Sequence, residues 1–209
     1  MADMAQIAHA VEGGRRKVVD QLVREALAEG VKAETILNEG LVVGMTNLGE
    51  QFKNGEVYVP EVLVAARAMK TGTEILKPLL VAENVQSLGT VAIGTVEGDL
   101  HDIGKNLVGM MLEGSGFTVM DLGVDVKPEM FIDAVRGGAK IIGMSALLTT
   151  TMPMMAKVIE RLKDEGLRDQ VKVMIGGAPI TQEYADEIGA DGYSSDAASA
   201  AELAKRLIA

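Results

Sequence analysis

Two histidines and no cysteine narrow the chemistry open to this chain. One of them, His101, sits in the run EGDLHDIGKN, with Asp99 two residues before it and Gly104 three after. A carboxylate that close can accept one imidazole N–H, fix the ring's tautomer and raise the basicity of the other nitrogen as a metal ligand. Gly98 and Gly104 let the backbone approach a bulky ligand where a side chain would collide. A lone Asp-x-His in a loop is more often a surface pair, and spacing alone leaves both readings open. Zinc is disfavoured, because no Cys and no other nearby His completes a site. Hydrolysis by Ser, His and Asp is disfavoured too: no Gly-x-Ser-x-Gly elbow occurs, and Ser145 has none of its surroundings. Without cysteine, disulfides, thiolate metal sites, iron–sulfur clusters and cysteine nucleophiles are all excluded.

The elements that must position His101 can be read from pattern. Before about Glu83 the pattern is helical. Val18, Leu22, Leu27 and Val31 fall at helical spacing, as do Leu41, Met45, Leu48 and Phe52. Gly30, Gly40 and Asn54-Gly55 read as breaks, and Pro60 as a first helical position, giving about four helices. Beyond the polar stretch Glu83–Ser87, short β-branched runs alternate with helical segments in five strand–helix units. The near-continuous apolar runs VAIGTV and VKVMIGG suit strands buried on both faces of a parallel sheet. The expected fold is therefore α/β: an N-terminal helical bundle over residues 1–86, then a flavodoxin-like, Rossmann-type doubly wound parallel sheet of five strands over 87–209. In such sheets ligands sit beyond the carboxyl ends of the strands, where strand order reverses. His101 lies in the first of those loops. The others are Leu122–Lys127, Ser145–Pro153, Gly176–Ile180 and Tyr193–Ala198.

Composition bounds the partners. Aromatic residues are 3% of a chain that is 48% hydrophobic, so the core is aliphatic and rich in its 13 Met. Met152, Met154 and Met155 read as core or partner surface rather than ligands. A formal charge of −10 argues against a nucleic-acid surface, which needs Lys and Arg for phosphates. The start MADMAQIAHAVEGG shows no secretory pattern, and the apolar runs are shorter than the ~20 residues that span a bilayer. A cytoplasmic protein with no membrane association is expected.

The run Asp99-Leu100-His101-Asp102-Ile103-Gly104, then Ser145-Ala146-Leu147, then Gly176-Gly177 resembles the cobalamin-binding signature Asp-x-His-x-x-Gly, Ser-x-Leu, Gly-Gly. All three pieces occur in order, each just after an expected strand. Upstream, EGLVVGMTNLGEQFKNGEVYVPEVLVAARAMK resembles the helical cap of cobalamin-dependent methionine synthase and of the stand-alone corrinoid proteins of methylamine, methanol and betaine demethylation. With no folate, homocysteine or activation domain beside it, the chain is more similar to the stand-alone proteins.

This resemblance implies a cobalamin or related corrinoid cofactor, with His101 as the lower ligand to cobalt and Asp99 relaying to it. It implies that Ser145, Leu147, Thr149, Gly176, Gly177 and Ala197 line a cleft for the cofactor's tail, with Gly98, Asp102, Ile103 and Gly104 in the cofactor-facing loop. By counting, the relay hydroxyl falls on Thr151, with Thr149 and Thr150 as neighbours able to substitute. Glu39 matches a cap residue that touches the cofactor. Phe52, Val59 and Val62 match side chains that shield its methyl-bearing face, though the relative has a larger Leu at Val59 and plain core packing explains such residues equally well. The implied activity is methyl carriage from a substrate-specific corrinoid methyltransferase to an acceptor methyltransferase using a folate or thiol coenzyme. A reductive activator of the corrinoid is a third implied partner. The chain would be one subunit of that system rather than a complete enzyme, with the stretch Glu83–Ser87 as hinge. A cobalamin-binding regulator would need a basic DNA-binding module, and a mutase subunit would lack the matching cap. A flavin or receiver domain fits by fold but not by motif.

Overall fold

The structure, a computed structural model, describes residues 3–82 and 87–209. It divides into two compact units, Met1–Ser87 with Gly114–Gly116, and Leu88–Glu113 with Phe117–Ala209. In the first, α1 (Met4–Glu12) opens on Asp3, whose carboxylate accepts the Ala5 N–H, one of the donors a helix start leaves unpaired. Next come α2 (Arg16–Ala28), the short α3 (Ala33–Thr35), a π-helical segment (Ile36–Val42), α4 (Val43–Lys53) and α5 (Val59–Ala82). The expected α2 forms, but its buried face lies one residue on from the expected stripe. Val19, Val23 and Ala26 are fully buried while Val18 is exposed, and Val31 falls beyond the helix end. Because Val18-Val19 and Leu22-Val23 are apolar pairs, periodicity could not choose between their faces.

Gly40 is not the break expected of it. The chain stays helical from Ala33 to Lys53, and Gly40 lies within the π-helical segment. A Cβ at Gly40 would stand 3.0 Å from Ile7 Cγ2, and one at Gly44 would stand 2.6 Å from the Ala8 carbonyl oxygen. Both glycines therefore serve the close approach of α1. Asn54-Gly55 does end α4, with Gly55 at φ 74°. Pro60 lies in the first turn of α5, which runs on through Pro78 at the loss of one backbone hydrogen bond. Of the stretch read as a hinge, residues 83–86 lie outside the described residues.

The second unit is the expected α/β sheet. Its strands are β1 (Thr90–Thr95), β2 (Thr118–Asp121), β3 (Ile141–Ser145), β4 (Lys172–Gly176) and β5 (Gly192–Tyr193). They pair in parallel in the order β2-β1-β3-β4-β5. Helices α6 (Ile103–Gly114), α7 (Pro128–Arg136), α8 (Pro153–Asp164), α9 (Gln182–Ile188) and α10 (Ala197–Ile208) connect or follow them. Burial of β1 from Val91 to Thr95 fits a central strand covered on both faces. Phe131 of α7 seats against Gly94, where a Cβ would come within 2.9 Å of its ring. Met155 is fully buried in the core that α7 and α8 form with the sheet, and Met152 and Met154 pack against it. Strand order reverses between β1 and β3, so the loops following those two strands flank the crevice. Register places Thr95 beside Ser145 and Ser145 beside Gly176, one row across three strand ends.

Candidate cofactor-binding site

The loop after β1 folds around Asp99. One oxygen of its carboxylate, Oδ1, accepts the His101 backbone N–H at 3.1 Å and faces the ring nitrogen Nδ1 at 2.7 Å. The other, Oδ2, takes the Leu147 and Leu148 N–H groups at 2.8 and 3.2 Å and the Thr151 hydroxyl at 2.8 Å. Thr151 Oγ1 also lies 2.9 Å from the Leu148 carbonyl, which already receives the Thr151 N–H, so the single hydroxyl proton goes to the carboxylate. The Asp99 side chain is fully buried and that of His101 half exposed, at 0% and 52%. Burial alone would push the pKa of the Asp99 carboxyl up. The bonds from the His101 ring, Leu147 N–H, His101 N–H and Thr151 hydroxyl outweigh it and hold the carboxyl well below the usual carboxylate range.

A chemical consequence follows. An anionic Asp99 can only accept, so a neutral His101 must carry its proton on Nδ1. Nε2 then bears the lone pair, on a half-exposed ring, in the arrangement seen when a carboxylate supports a metal-bound imidazole.

The positions singled out in sequence are not all equivalent. His101, Asp99, Leu147 and Thr151 come together, joining the β1 loop to the β3 loop. The count to Thr151 is thus met by geometry, while Thr149 and Thr150 are exposed. Asp102 is exposed and accepts from the Asn106 side chain at 3.1 Å in the first turn of α6. Ile103 is 75% exposed, and Leu100, Leu147 and Leu148 are exposed as well. Gly98 adopts φ +84°, which favours glycine, whereas a Cβ on Gly104 would meet no atom of the chain within 4 Å. Gly176 and Gly177 have an intramolecular reason instead. A Cβ on Gly176 would lie 3.1 Å from the Ser194 carbonyl oxygen, and one on Gly177, at φ +134°, would collide with the Ala146 carbonyl. Ala197 is buried in the first turn of α10, next to Asp196, whose carboxylate caps that helix by accepting the Ser199 N–H. In the helical unit, Glu39 is exposed on the π-helical segment and Phe52 and Val59 are partly buried. Val62 is fully buried, leaving no surface for a ligand in this conformation.

Sequence reasoning missed three supports of this loop. Buried Thr95 donates its hydroxyl to the His101 carbonyl at 2.9 Å. Asp125, in the loop after β2, accepts the Gly98 N–H at 2.7 Å and donates its own N–H to the Asp99 carbonyl at 3.0 Å. Lys105, almost fully buried on α6, ties Asn106 to Asp121 at the end of β2. Only the left-handed tolerance of Asp could have marked Asp125, and many loop aspartates share it.

The donors suit a metal that arrives already held by a macrocycle. One imidazole nitrogen is offered, and among the described residues no group of three His, Asp or Glu side chains could hold an ion alone. Exposed aliphatic side chains on both loops offer apolar surface to such a ring. Fold and site together define a parallel α/β cofactor-binding domain with a carboxylate-supported imidazole.

Comparison with known proteins agrees. A B12 binding domain profile matches residues 89–202, and a second, also described as a B12 binding domain, matches 4–77. A corrinoid protein of Desulfitobacterium hafniense is 42% identical, over 100% of this chain and 98% of its own length. A dimethylamine corrinoid protein of Methanosarcina acetivorans is 47% identical, over 97% of this chain and 95% of its own. A chain from the crystal structure of the methanol:cobalamin methyltransferase complex of Methanosarcina barkeri superposes with a TM-score of 0.85 at 31% identity, covering 98% of this chain and 79% of that one. The chain belongs to the family of B12-binding corrinoid proteins.

Proposed function

We propose that this protein carries methyl groups on a bound cobalamin or related corrinoid, with His101 Nε2 as its ligand to cobalt. The observation that carries this reading is the tautomer imposed by Asp99: one ring nitrogen committed to a buried anion, the other free on an apolar rim. When bound, the cobalt supplies the carrier chemistry, accepting a methyl group from one partner and releasing it to another. Ser145, Leu147, Thr149, Gly176, Gly177 and Ala197 line the path of the cofactor's tail. Gly98, Asp102, Ile103 and Gly104 would form the cofactor-facing loop, and Glu39 would be a further cofactor-touching residue. We read residues 1–86 as the shielding domain and 87–209 as the cofactor domain.

The chain's own contribution is orientation of the ring and choice of its tautomer. Asp99 holds the ring in one plane with Nε2 outward. Thr151 keeps Asp99 anionic by donating to Oδ2. The methyl donor's enzyme is a substrate-specific corrinoid methyltransferase. This partner is suggested by relatives named for trimethylamine and dimethylamine and by a neighbour named as part of a methanol:cobalamin methyltransferase complex. An acceptor methyltransferase and a reductive activator complete the cycle we propose, in the cytoplasm.

The test is the optical spectrum of the chain after mixing with hydroxocobalamin and removing the excess, for wild type and His101→Ala. A retained corrinoid spectrum with histidine coordination, lost in the variant, is expected. Retention of no corrinoid by wild type, reduced or oxidised, would overturn the reading.

A further inference from the structure

Asp125 is the only non-glycine residue with positive φ among the described residues, at +53°. Such backbone is uncommon outside glycine, though Asp tolerates it better than most residues, and it persists where the surroundings fix it. Here the surroundings are the end of β1. Past β2, the chain keeps pairing with β1: Leu122 N–H bonds the Ile93 carbonyl, Gly123 accepts from Thr95, and Val126 N–H returns to the Thr95 carbonyl. Between those last two contacts, Val124 and Asp125 must arch over the strand end. The left-handed turn at Asp125 aims its N–H at the Asp99 carbonyl, 3.0 Å away, and its carboxylate at the Gly98 N–H, 2.7 Å away. Two peptide groups of the histidine loop, on either side of the Gly98–Asp99 bond, are thus clamped by one residue from a neighbouring loop. Gly98 itself sits at φ +84°, so without the clamp this backbone has many alternatives.

We infer that Asp125 is a positioning residue for the axial histidine: by gripping Gly98 N–H and Asp99 C=O it sets the plane in which Asp99 presents His101. Its bonds to the histidine loop are to the backbone, not to the ring. This rests on the reading of His101 as the cobalt ligand. The acceptor oxygen and the left-handed backbone do the work, not the negative charge, which separates the inference from a general electrostatic effect.

The experiment compares wild type, Asp125→Gly and Asp125→Asn, each loaded with hydroxocobalamin and reduced to the paramagnetic cobalt(II) form. With the chain labelled by 15N-histidine, the 15N doublet in the electron paramagnetic resonance spectrum, as against the 14N triplet of the cofactor's own benzimidazole, reports the fraction of cobalt carrying histidine. Asp125→Gly keeps the left-handed backbone and deletes the acceptor. It should lower the ratio of histidine-bound to histidine-free cobalt about tenfold, the scale of one hydrogen bond. Asp125→Asn keeps both the acceptor and the tolerated backbone, and should restore the wild-type doublet. A full doublet in Asp125→Gly, or equal loss in Asp125→Gly and Asp125→Asn, would overturn the inference. Should Asp125→Gly fail to fold, hydrogen exchange of the wild-type chain decides. A protected Gly98 amide supports the clamp, and free exchange there overturns it. A wild type that takes up corrinoid without that doublet removes His101 as ligand instead, a result distinct from any difference among the variants.

Discussion

At the scale of single residues, the buried Asp99 carboxylate organises the site. Its anionic form is kept by five donors drawn from two loops. Removing one donor from a buried charge costs more than an average hydrogen bond contributes, because desolvation is then uncompensated. Thr151→Val keeps the shape of the side chain and deletes the hydroxyl. It should lower the stability of the cofactor-free chain by about 1–2 kcal/mol, read by urea unfolding, while Thr151→Ser retains most of it. The same loss should weaken histidine coordination, since a less firmly held carboxylate is a poorer partner for the ring.

At the scale of elements, close backbone approach and one half-buried ion pair hold the strand ends in place. Gly177→Ala forces a methyl group into the Ala146 carbonyl at a backbone angle that L residues rarely adopt. It should cost about 3 kcal/mol or more in thermal or chemical denaturation, enough to empty the folded state of a marginal protein. The Lys105 ammonium lies 2.6 Å from Asp121 Oδ1, with the lysine nearly buried and the aspartate half exposed. Asp121→Ala leaves that ammonium without its anionic partner and should destabilise by about 1–3 kcal/mol, whereas Lys105→Met should be close to neutral. The pH dependence has a definite sign. Burial works to raise the pKa of Asp121, but the Lys105 and Gly123 bonds win and lower it. Its contribution is therefore complete above the ordinary carboxylate range, ~pH 4, and fades as pH falls through and below it. The stability gap between wild type and Asp121→Ala should close on acidification.

At the scale of the whole molecule, a ligand that binds only the folded chain stabilises it by mass action. Hydroxocobalamin at about 100 times its dissociation constant should add about 2.7 kcal/mol. For a chain of this size that is a rise in Tm of roughly 5–10 °C by differential scanning calorimetry. His101→Ala should show a smaller rise at the same concentration. Equal rises in both would mean that retention rests on the apolar rim and tail cleft, not on the axial bond. No helix among the described residues is long and apolar enough to cross a membrane.

Much of this was legible in the sequence. Alternation of β-branched runs with helical segments gave the parallel sheet, because side-chain period and strand length are local properties. The three motif pieces pointed to His101, Asp99, Ser145 and the glycine pair, which the fold sets at the carboxyl ends of β1, β3 and β4, where ligands bind in this architecture. Counting placed the relay hydroxyl among Thr149, Thr150 and Thr151, but only the fold of the β3 loop turned Thr151 onto Asp99. The face of α2 and the role of Gly40 were decided by tertiary packing, since adjacent apolar residues and a glycine in a helix read identically whichever neighbour they meet. Asp125 and Thr95 stayed invisible for the same reason. A backbone clamp depends on which loops lie side by side, and strand order, not sequence order, sets that. The residue types that carry the chemistry were thus written in the chain itself. Which groups hold them at the right angle followed from a sheet that brings residues 95, 99, 125 and 151 to one edge.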